Sequence, residues 1–311
     1  MVLKLLFPLR LITFLQSIQG NKKMEKIDEI EKNIINHYEL IWPLCKKFWH
    51  SDKTLGLHYG FYEKGIKNFE DAVINMNNLI ERNLNLNTKT KNVLDAGCGV
   101  GGTSIYLAEK YPKIKFIGIE LTPKLVDLAK NFAEEKKVEN VEFFIKNYVS
   151  TDFSDNYFDC IFALLSSSHA VDKREFLHEM NRIIKPDGKL IVIDIFQNNK
   201  PFNFLTSKIY DSYLKTLSVK ELVDINNFDK FLRNEGFENI KIHDISKNIQ
   251  RHHFIGFILN IPSFFYFLIR KIFKYEDDLK ANYLFTSAPI YAALISQSKN
   301  LKYFLISAYK K

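Results

Sequence analysis

A glycine-rich turn stands between an apolar run and the start of a helix pattern. The run ends at Asp95, glycines follow at positions 97, 99, 101 and 102, and the helix pattern opens at Thr103. This is typical of the strand–turn–helix unit that binds nucleotides, because glycine lets the backbone turn tightly and contact a ligand. The spacing of Gly97, Gly99 and Gly102 also matches G-x-G-x-x-G, so a dinucleotide stays an alternative. Asp95 favours S-adenosylmethionine, because a carboxylate there attracts an ammonium group and repels a pyrophosphate.

Three further polar side chains follow the next predicted strands. Glu120 ends the second strand, Asn147 follows the third, and His169 follows the fourth. Ligands of open parallel sheets bind beyond the carboxyl ends of the strands, so these side chains converge with Asp95. Glu120 suits two ribose hydroxyls, and the side-chain oxygen of Asn147 suits an adenine amino group. We expect Leu121 against the adenine face. His169 is the candidate base, because imidazole titrates near neutral pH.

The elements that must position these residues alternate between strands and helices. Strands are predicted at 92–96, 116–119, 141–146, 158–164 and 189–195, and helices at 103–110, 123–136 and 172–184, the last closing on a turn at 185–188. Residues 200–235 are helical, another strand starts at 236, and a last strand at 301–309 should close the sheet edge. The pattern predicts an α/β fold that is Rossmann-like and doubly wound. We expect a mostly parallel seven-stranded sheet, an antiparallel last strand and a helical cap.

The chain before the first strand is predicted to form a helical lid. A helix is predicted over 25–48, broken at Pro43, then an aromatic-rich loop over 49–62 and a helix over 69–84. Residues 1–23 are apolar, but two cations and a proline divide them into runs too short to span a bilayer. We expect this segment to be poorly ordered or targeting-like, or to precede a true start at Met24.

The expected organisation is therefore one domain over residues 24–311. A helical lid occupies 24–90, a cofactor-binding core 91–199, and a cap or substrate region 200–235 and 250–296. Within the cap, residues 254–273 are very apolar but contain Pro262. A proline leaves a helical carbonyl unpaired, which disfavours a lipid-exposed span and favours a lid or a helix in the membrane interface. His252 and His253 are predicted at the surface or in the lid rather than as metal ligands.

Composition narrows the class of protein. The net charge of +8 has no Lys/Arg block and indicates a mildly basic surface, compatible with an anionic membrane. Cys45, Cys98 and Cys160 lie far apart, which indicates a reducing compartment and neither a disulfide framework nor a metal site. The 27 Phe and 15 Tyr suit a pocket for an apolar or lipid-like small molecule. We expect a cytoplasmic protein, with peripheral contact to a membrane as an alternative, and no nucleic-acid partner.

Several motifs together resemble class I S-adenosylmethionine-dependent methyltransferases. They are Leu57-His58-Tyr59-Gly60-Phe61, the stretch from Leu94 to Gly102, Gly118 to Pro123, Phe158-Asp159, Lys185-Pro186-Asp187-Gly188, Gly236-Phe237 and a closing strand that ends in lysine. The resemblance covers nearly the whole chain after Met24. It is strongest to the branch that contains the tocopherol and sterol C-methyltransferases and related small-molecule enzymes.

The resemblance implies roles for individual residues. The turn at Gly97 and Gly99 holds the methionine part of the cofactor, and Glu120 the ribose. Asn147 and Tyr148 line the adenine, although relatives commonly have Asp where Asn147 stands. The lid over the methionine end is implied to contain Tyr38, His58 and Tyr59.

The expected activity is methyl transfer to carbon, oxygen or nitrogen of a small, apolar or aromatic acceptor. The sulfonium methyl is already activated, so the protein mainly aligns the reactants in line and excludes water. His169 serves as the base if the acceptor is a phenol or hydroxyl. Relatives often carry acidic residues at the positions of Leu165 and Ser168. Because this chain lacks those acids, the resemblance does not predict the identity of the substrate. Two alternatives remain: an NAD-dependent oxidoreductase, which Asp95 disfavours, and a membrane-surface binding protein with weakened catalysis.

Overall fold

The computed structural model describes residues 6–198, 202–272, 279–297 and 299–311. The strands are β1 (Asn92–Ala96), β2 (Lys115–Glu120), β3 (Val141–Ile145), β4 (Phe158–Leu164), β5 (Ile184–Gln197), β6 (Phe237–Asp244) and β7 (Leu301–Lys310). The α-helices are α1 (Leu6–Trp49), α2 (Ser51–Thr54), α3 (Phe69–Leu84), α4 (Gly102–Lys110), α5 (Pro123–Glu135), α6 (Lys173–Ile183), α7 (Phe204–Leu217), α8 (Ile225–Asn234), α9 (Ser246–Ile272) and α10 (Leu279–Gln297).

The strands form one mixed sheet in the order β3-β2-β1-β4-β5-β7-β6. β1 to β5 run parallel, and β7 runs antiparallel to both β5 and β6. This confirms the Rossmann-like fold class with its antiparallel last strand. The prediction that the last strand closes the sheet edge is wrong, because β7 lies between β5 and β6. Most of β7 is buried while most of β6 is exposed, and a strand that is apolar on both faces needs cover on both.

The strand order creates the crevice in which a ligand can lie. From β1 the chain adds β2 and β3 on one side, and then returns to place β4 on the other side of β1. The loops that follow β1 and β4 therefore leave the sheet in opposite directions. The carboxyl ends of these two strands form the switch point where open α/β sheets bind their ligands.

Helices cover both faces of the sheet. Val93 of β1 belongs to an apolar cluster with Met76 of α3 and Ile105 of α4, whereas its neighbour Leu94 belongs to a second cluster with Phe176 of α6. Successive residues of a strand point to opposite faces, so both faces are apolar. This double coverage explains why the inner strands are apolar runs without alternation.

Residues 185–188 were predicted as a turn between α6 and the next strand. This prediction is wrong, because these residues lie inside β5. Pairing with β4 passes from Phe158↔Ile184 to Cys160↔Lys189, so the intervening residues of β5 bulge from the ladder. Asp187 has a φ of 60° there. A bulge requires the same residue types as a turn, which is why the two were not distinguished from the sequence.

Helix α1 continues past Pro43 to Trp49, so the predicted break is wrong. Proline removes one helical hydrogen bond, but Trp42 and Cys45 are buried in the core beside it and hold the helix in place. The N-terminal segment predicted at 1–23 lies partly outside the described residues, which start with α1 at Leu6.

The cap contains α9 and α10, which pack against each other. The rings of Phe264 in α9 and Tyr283 in α10 are stacked with centroids 6.2 Å apart. His252 and His253 are buried inside the cap, so a surface position for them is wrong. Among the helices described, none has the length and apolar character that crossing a membrane requires.

Candidate active site

A cleft opens at the carboxyl end of the sheet, between the ends of β1, β2 and β4 and helix α1. It has about 1100 Å³ of empty space, including the part open to solvent. The sequence-predicted residues in its lining are Tyr38, His58, Asp95, Gly97, Gly99, Glu120, Leu121, Asn147, Tyr148 and His169. Tyr59 does not line this cleft and belongs to a neighbouring chamber. The topology therefore brings together all but one of the predicted side chains.

Asp95 is buried at the end of β1. Its Oδ2 accepts a hydrogen bond from Oγ of Ser104 at 2.7 Å. Burial raises the pKa of Asp95 to about 7, the negative charge of Glu120 adds to the rise, and the bond from Ser104 opposes it. A cation bound at Asp95 favours the ionised carboxylate and lowers this pKa. The site therefore suits a ligand with an ammonium group.

The turn after β1 has no room for a side chain at Gly97. Gly97 has a φ of 89°, and a Cβ there would lie 2.4 Å from Cβ of Ser166. Gly99 has a φ of 54°, and its N–H donates to Oε2 of Glu120 at 3.2 Å. Oε1 of Glu120 accepts from the N–H of Thr122 at 2.9 Å. Each oxygen keeps acceptor capacity, so Glu120 can bind a diol while it ties the turn to β2.

Asn147 and Tyr148 follow β3 and are both hydrogen-bonded. Nδ2 of Asn147 donates to Oε1 of Glu31 at 2.6 Å, and its Oδ1 accepts from the N–H of Val149 at 3.0 Å. The hydroxyl of Tyr148 donates to the carbonyl of Ser166 at 2.9 Å. The bond to Glu31 attaches α1 to the core beside the cleft, and sequence reasoning missed this residue.

His169 ends a short 3-10 turn (Ser167–His169) after β4. Its Nε2 lies 2.9 Å from the hydroxyl of Tyr38, and its Nδ1 has no hydrogen-bond partner in the described part of the chain. Burial lowers the pKa of His169 to about 3, and the charges of His37 and Lys173 contribute to the drop. The imidazole is therefore neutral at physiological pH, and its burial makes protonation costly in the free protein.

Two buried charged residues hold the turn that carries His169. Nζ of Lys173 donates to the carbonyl of Ser168 at 2.7 Å. Oδ2 of Asp194 accepts from Oγ of Ser167 at 2.7 Å and from the N–H of Ser168 at 2.8 Å. Sequence reasoning missed Asp194, although an acid inside the apolar run of β5 signals a buried hydrogen-bonding role.

A chamber of about 910 Å³ adjoins the cleft. Tyr38, Leu57, Leu165 and His169 line both cavities. The remaining wall is mainly apolar and aromatic, and the described lining contains neither Lys nor Arg. An unpaired buried charge is costly, so this composition suits an uncharged and mainly apolar molecule.

Helix α1 contributes to both cavities through its spacing. The residues that face the cleft are Glu31, Ile34 and Tyr38. The residues that face the chamber are His37, Ile41, Cys45 and Trp49, together with Tyr38. A repeat of four residues places side chains on one helix face. This spacing is visible in the sequence, so the chamber-facing side of α1 could have been predicted from it.

The cleft fits S-adenosylmethionine. Asp95 is an acid for the ammonium group, Glu120 is an acceptor for the ribose diol, and Gly97 stands where a Cβ would close the cradle against Ser166. Leu121 and Asn147 supply an apolar face and an amide for the adenine. Among the described residues, no group of three or more His, Cys, Asp or Glu is arranged to hold a metal ion.

Comparison with known proteins agrees with this chemistry. Residues 87–236 match a family model described as a methyltransferase domain. Tocopherol O-methyltransferase of Arabidopsis thaliana is 26% identical over 242 residues, which cover 71% of this chain and 67% of that protein. Norajmaline N-methyltransferase of Rauvolfia serpentina is 29% identical over 209 residues, 62% of this chain and 70% of that protein. A solved geranyl diphosphate methyltransferase superposes with a TM-score of 0.71 at 14% identity over 91% of this chain and 100% of that one, which shows a shared fold.

The fold, the cleft and these relatives define the class. Residues 87–236 match a methyltransferase domain, and the chain has the Rossmann-like fold of solved S-adenosylmethionine-dependent methyltransferases. Its activity is methyl transfer to a small molecule, and its cofactor is S-adenosylmethionine. The alternatives of an NAD-dependent oxidoreductase and of a binding protein with weakened catalysis find no support in these relatives.

Proposed function

We propose that the enzyme methylates a hydroxyl oxygen, preferably phenolic, of an uncharged and mainly apolar molecule held in the chamber. The observation that carries this proposal is the position of His169, which is neutral, bonded to Tyr38, and part of the wall shared by the cleft and the chamber. The relative named for O-methylation of tocopherol supports an oxygen acceptor. The relative named for N-methylation of norajmaline makes nitrogen the competing acceptor.

In this proposal the cofactor lies along the carboxyl ends of β1 to β3. Asp95 and the Gly97 turn hold its methionine part, Glu120 holds the ribose, and Leu121, Asn147 and Tyr148 surround the adenine. Bound there, S-adenosylmethionine supplies an activated methyl group on a sulfonium that leaves as a neutral thioether. Tyr38, Leu57 and His58 cover the methionine end and exclude water from it.

His169 takes the proton of the acceptor. As the bond between methyl carbon and oxygen forms, the O–H of the acceptor becomes strongly acidic, so even an imidazole of low pKa is a sufficient base. Tyr38 orients the ring through its 2.9 Å contact with Nε2. Lys173 and Asp194 fix the backbone of the turn and act on His169 only through its position.

The lining of the chamber limits the charge of the acceptor. Phosphate and diphosphate groups are bound in proteins by Arg and Lys side chains. The described lining contains neither, and its acid, Asp194, already accepts hydrogen bonds from Ser167, Ser168 and Ile195. We therefore propose that phosphorylated acceptors are excluded.

The test uses methyl-labelled S-adenosylmethionine with 4-hexylphenol, 4-hexylaniline and geranyl diphosphate as probes. We expect label only in the phenol. His169→Phe should lower kcat by about a hundredfold or more while the Kd for S-adenosylhomocysteine changes less than about twofold. Tyr38→Phe, which keeps the ring and removes the hydroxyl, should lower kcat less. Methylation of the aniline or the diphosphate in place of the phenol contradicts the proposal.

We also propose that one face of α9 lies on a membrane surface and that the acceptor enters there. The large exposed apolar side chains of α9 are Phe254, Ile258, Leu259, Phe265, Tyr266 and Ile269. An apolar groove beside them shares Trp49, His252 and Phe285 with the chamber wall. The groove also contains the exposed Phe48, which follows the exposed Lys46 and Lys47 at the end of α1. Such a combination of apolar surface and flanking cations suits an anionic lipid bilayer.

A further inference from the structure

A chain of four hydrogen-bonded side chains runs along one wall of the chamber. The hydroxyl of Tyr59 lies 3.2 Å from that of Tyr213, which lies 3.0 Å from that of Tyr303. The hydroxyl of Tyr303 lies 2.8 Å from Nε2 of His253. Four separate elements supply these residues: the loop after α2, then α7, β7 and α9. Tyr59, Tyr213 and His253 line the chamber itself.

The chain holds one proton more than its three links need. Burial lowers the pKa of His253 to about 3, so its imidazole is neutral and carries one N–H. Three phenols and one imidazole hold four protons, and the three links of the chain use three of them. Four arrangements form all three links, because the one unused hydrogen is carried by Nδ1 of His253 or by the hydroxyl of Tyr59, Tyr213 or Tyr303. In the first arrangement Nδ1 is a donor, and in the other three it is an acceptor.

In every arrangement Nδ1 of His253 takes no part in the chain. This atom is buried and has no hydrogen-bond partner among the described residues, and His253 is 1% exposed. Its neighbour His252 differs, because Nδ1 of His252 accepts from the N–H of Gly60 at 2.9 Å. A buried polar atom without a partner costs free energy that a ligand recovers when it supplies one.

We propose that Nδ1 of His253 binds a second hydroxyl of the acceptor, remote from the oxygen that is methylated. A hydroxyl both donates and accepts, so it pairs with Nδ1 whether or not that atom carries a hydrogen, whereas a carbonyl only accepts and an ammonium group only donates. The enzyme then selects diols of apolar molecules over the corresponding single alcohols or phenols. This inference rests on the proposed function, which puts the acceptor in the chamber.

The test compares 5-hexylresorcinol with 3-hexylphenol, which differ by one hydroxyl. We expect the wild-type enzyme to show a KM about tenfold lower for the resorcinol. His253→Phe removes the nitrogen and keeps a ring, so it should equalise the two KM values. Tyr303→Phe keeps His253 but breaks the chain, so it should reduce the preference only in part.

Thermal shift of the wild-type enzyme with S-adenosylhomocysteine and each probe measures the same preference without turnover or a variant. Equal affinity for the two probes, or an unchanged preference in His253→Phe, overturns the assignment. A lack of methyl transfer to either phenol contradicts the proposed function instead, and the binding comparison still decides the role of His253.

Discussion

The raised pKa of Asp95 makes cofactor affinity depend on pH. Burial places this pKa at about 7 in the free protein, so the carboxyl is largely neutral at pH 5.5 and half ionised at pH 7. A neutral carboxyl does not attract the ammonium group of S-adenosylmethionine, which stays charged over this range. Affinity should therefore fall as pH falls, and binding at low pH should release a proton.

The size of the effect follows from the fraction of Asp95 that is ionised. The apparent Kd scales as one plus the ratio of protonated to ionised carboxyl, which is about 2 at pH 7 and about 33 at pH 5.5. We expect the Kd to rise about 16-fold over this interval, or about 1.6 kcal/mol. Isothermal calorimetry in two buffers of different ionisation enthalpy measures both the Kd and the proton release.

Two variants control for other groups. Asp95→Asn keeps the acceptor for Ser104 but cannot ionise, so its Kd should be weak at pH 7 and nearly independent of pH. Glu120→Gln should bind more weakly than wild type and shift the pH dependence to lower pH, because it removes a negative charge that helps raise the pKa of Asp95. A wild-type Kd that is equal at pH 5.5 and 7 would refute the role of Asp95 as the ionised partner of the ammonium group.

Three further perturbations test other parts of the site. Gly97→Ala should abolish cofactor binding, because the new Cβ would lie 2.4 Å from Cβ of Ser166. The control is Gly65→Ala, at a φ of 97° with open space around it, which should retain the affinity and lose only some stability. Equal affinities of the two variants in calorimetry would contradict this prediction. Glu120→Ala should weaken binding by about 1–3 kcal/mol through lost charge-assisted hydrogen bonds, and an unchanged Kd would remove Glu120 from the ribose site. Phe265→Asp should weaken sedimentation with anionic liposomes while circular dichroism and cofactor affinity stay the same, since Phe265 is 56% exposed. Phe204→Asp, on the exposed surface of α7, is the matched control, and equal loss in both variants would contradict docking through α9.

Much of the cofactor cleft follows from local sequence. The glycines in the sequence after β1 indicate a turn with positive φ angles, and the apolar runs before Asp95 and Glu120 indicate buried parallel strands. Parallel strands place their carboxyl ends at one edge, so Asp95, Glu120, Asn147 and His169 converge without knowledge of the side-chain packing. Residues close in the chain set these features, and short-range patterns record them.

The chamber depends on contacts between residues far apart in the chain, and no local pattern contains them. Tyr59 faces Tyr213 and His253 instead of the cofactor cleft, because α7, α9 and β7 meet around it. The position of β7 between β5 and β6 depends on which strands pair with its two edges, which the alternation of β7 alone does not encode. The low pKa of His169 and the high pKa of Asp95 likewise arise from burial by distant elements. The motifs and the family they resemble thus predicted the class of enzyme and the residues of the cleft, whereas only tertiary packing, which sets burial and long-range hydrogen bonds, decided the shape and polarity of the chamber.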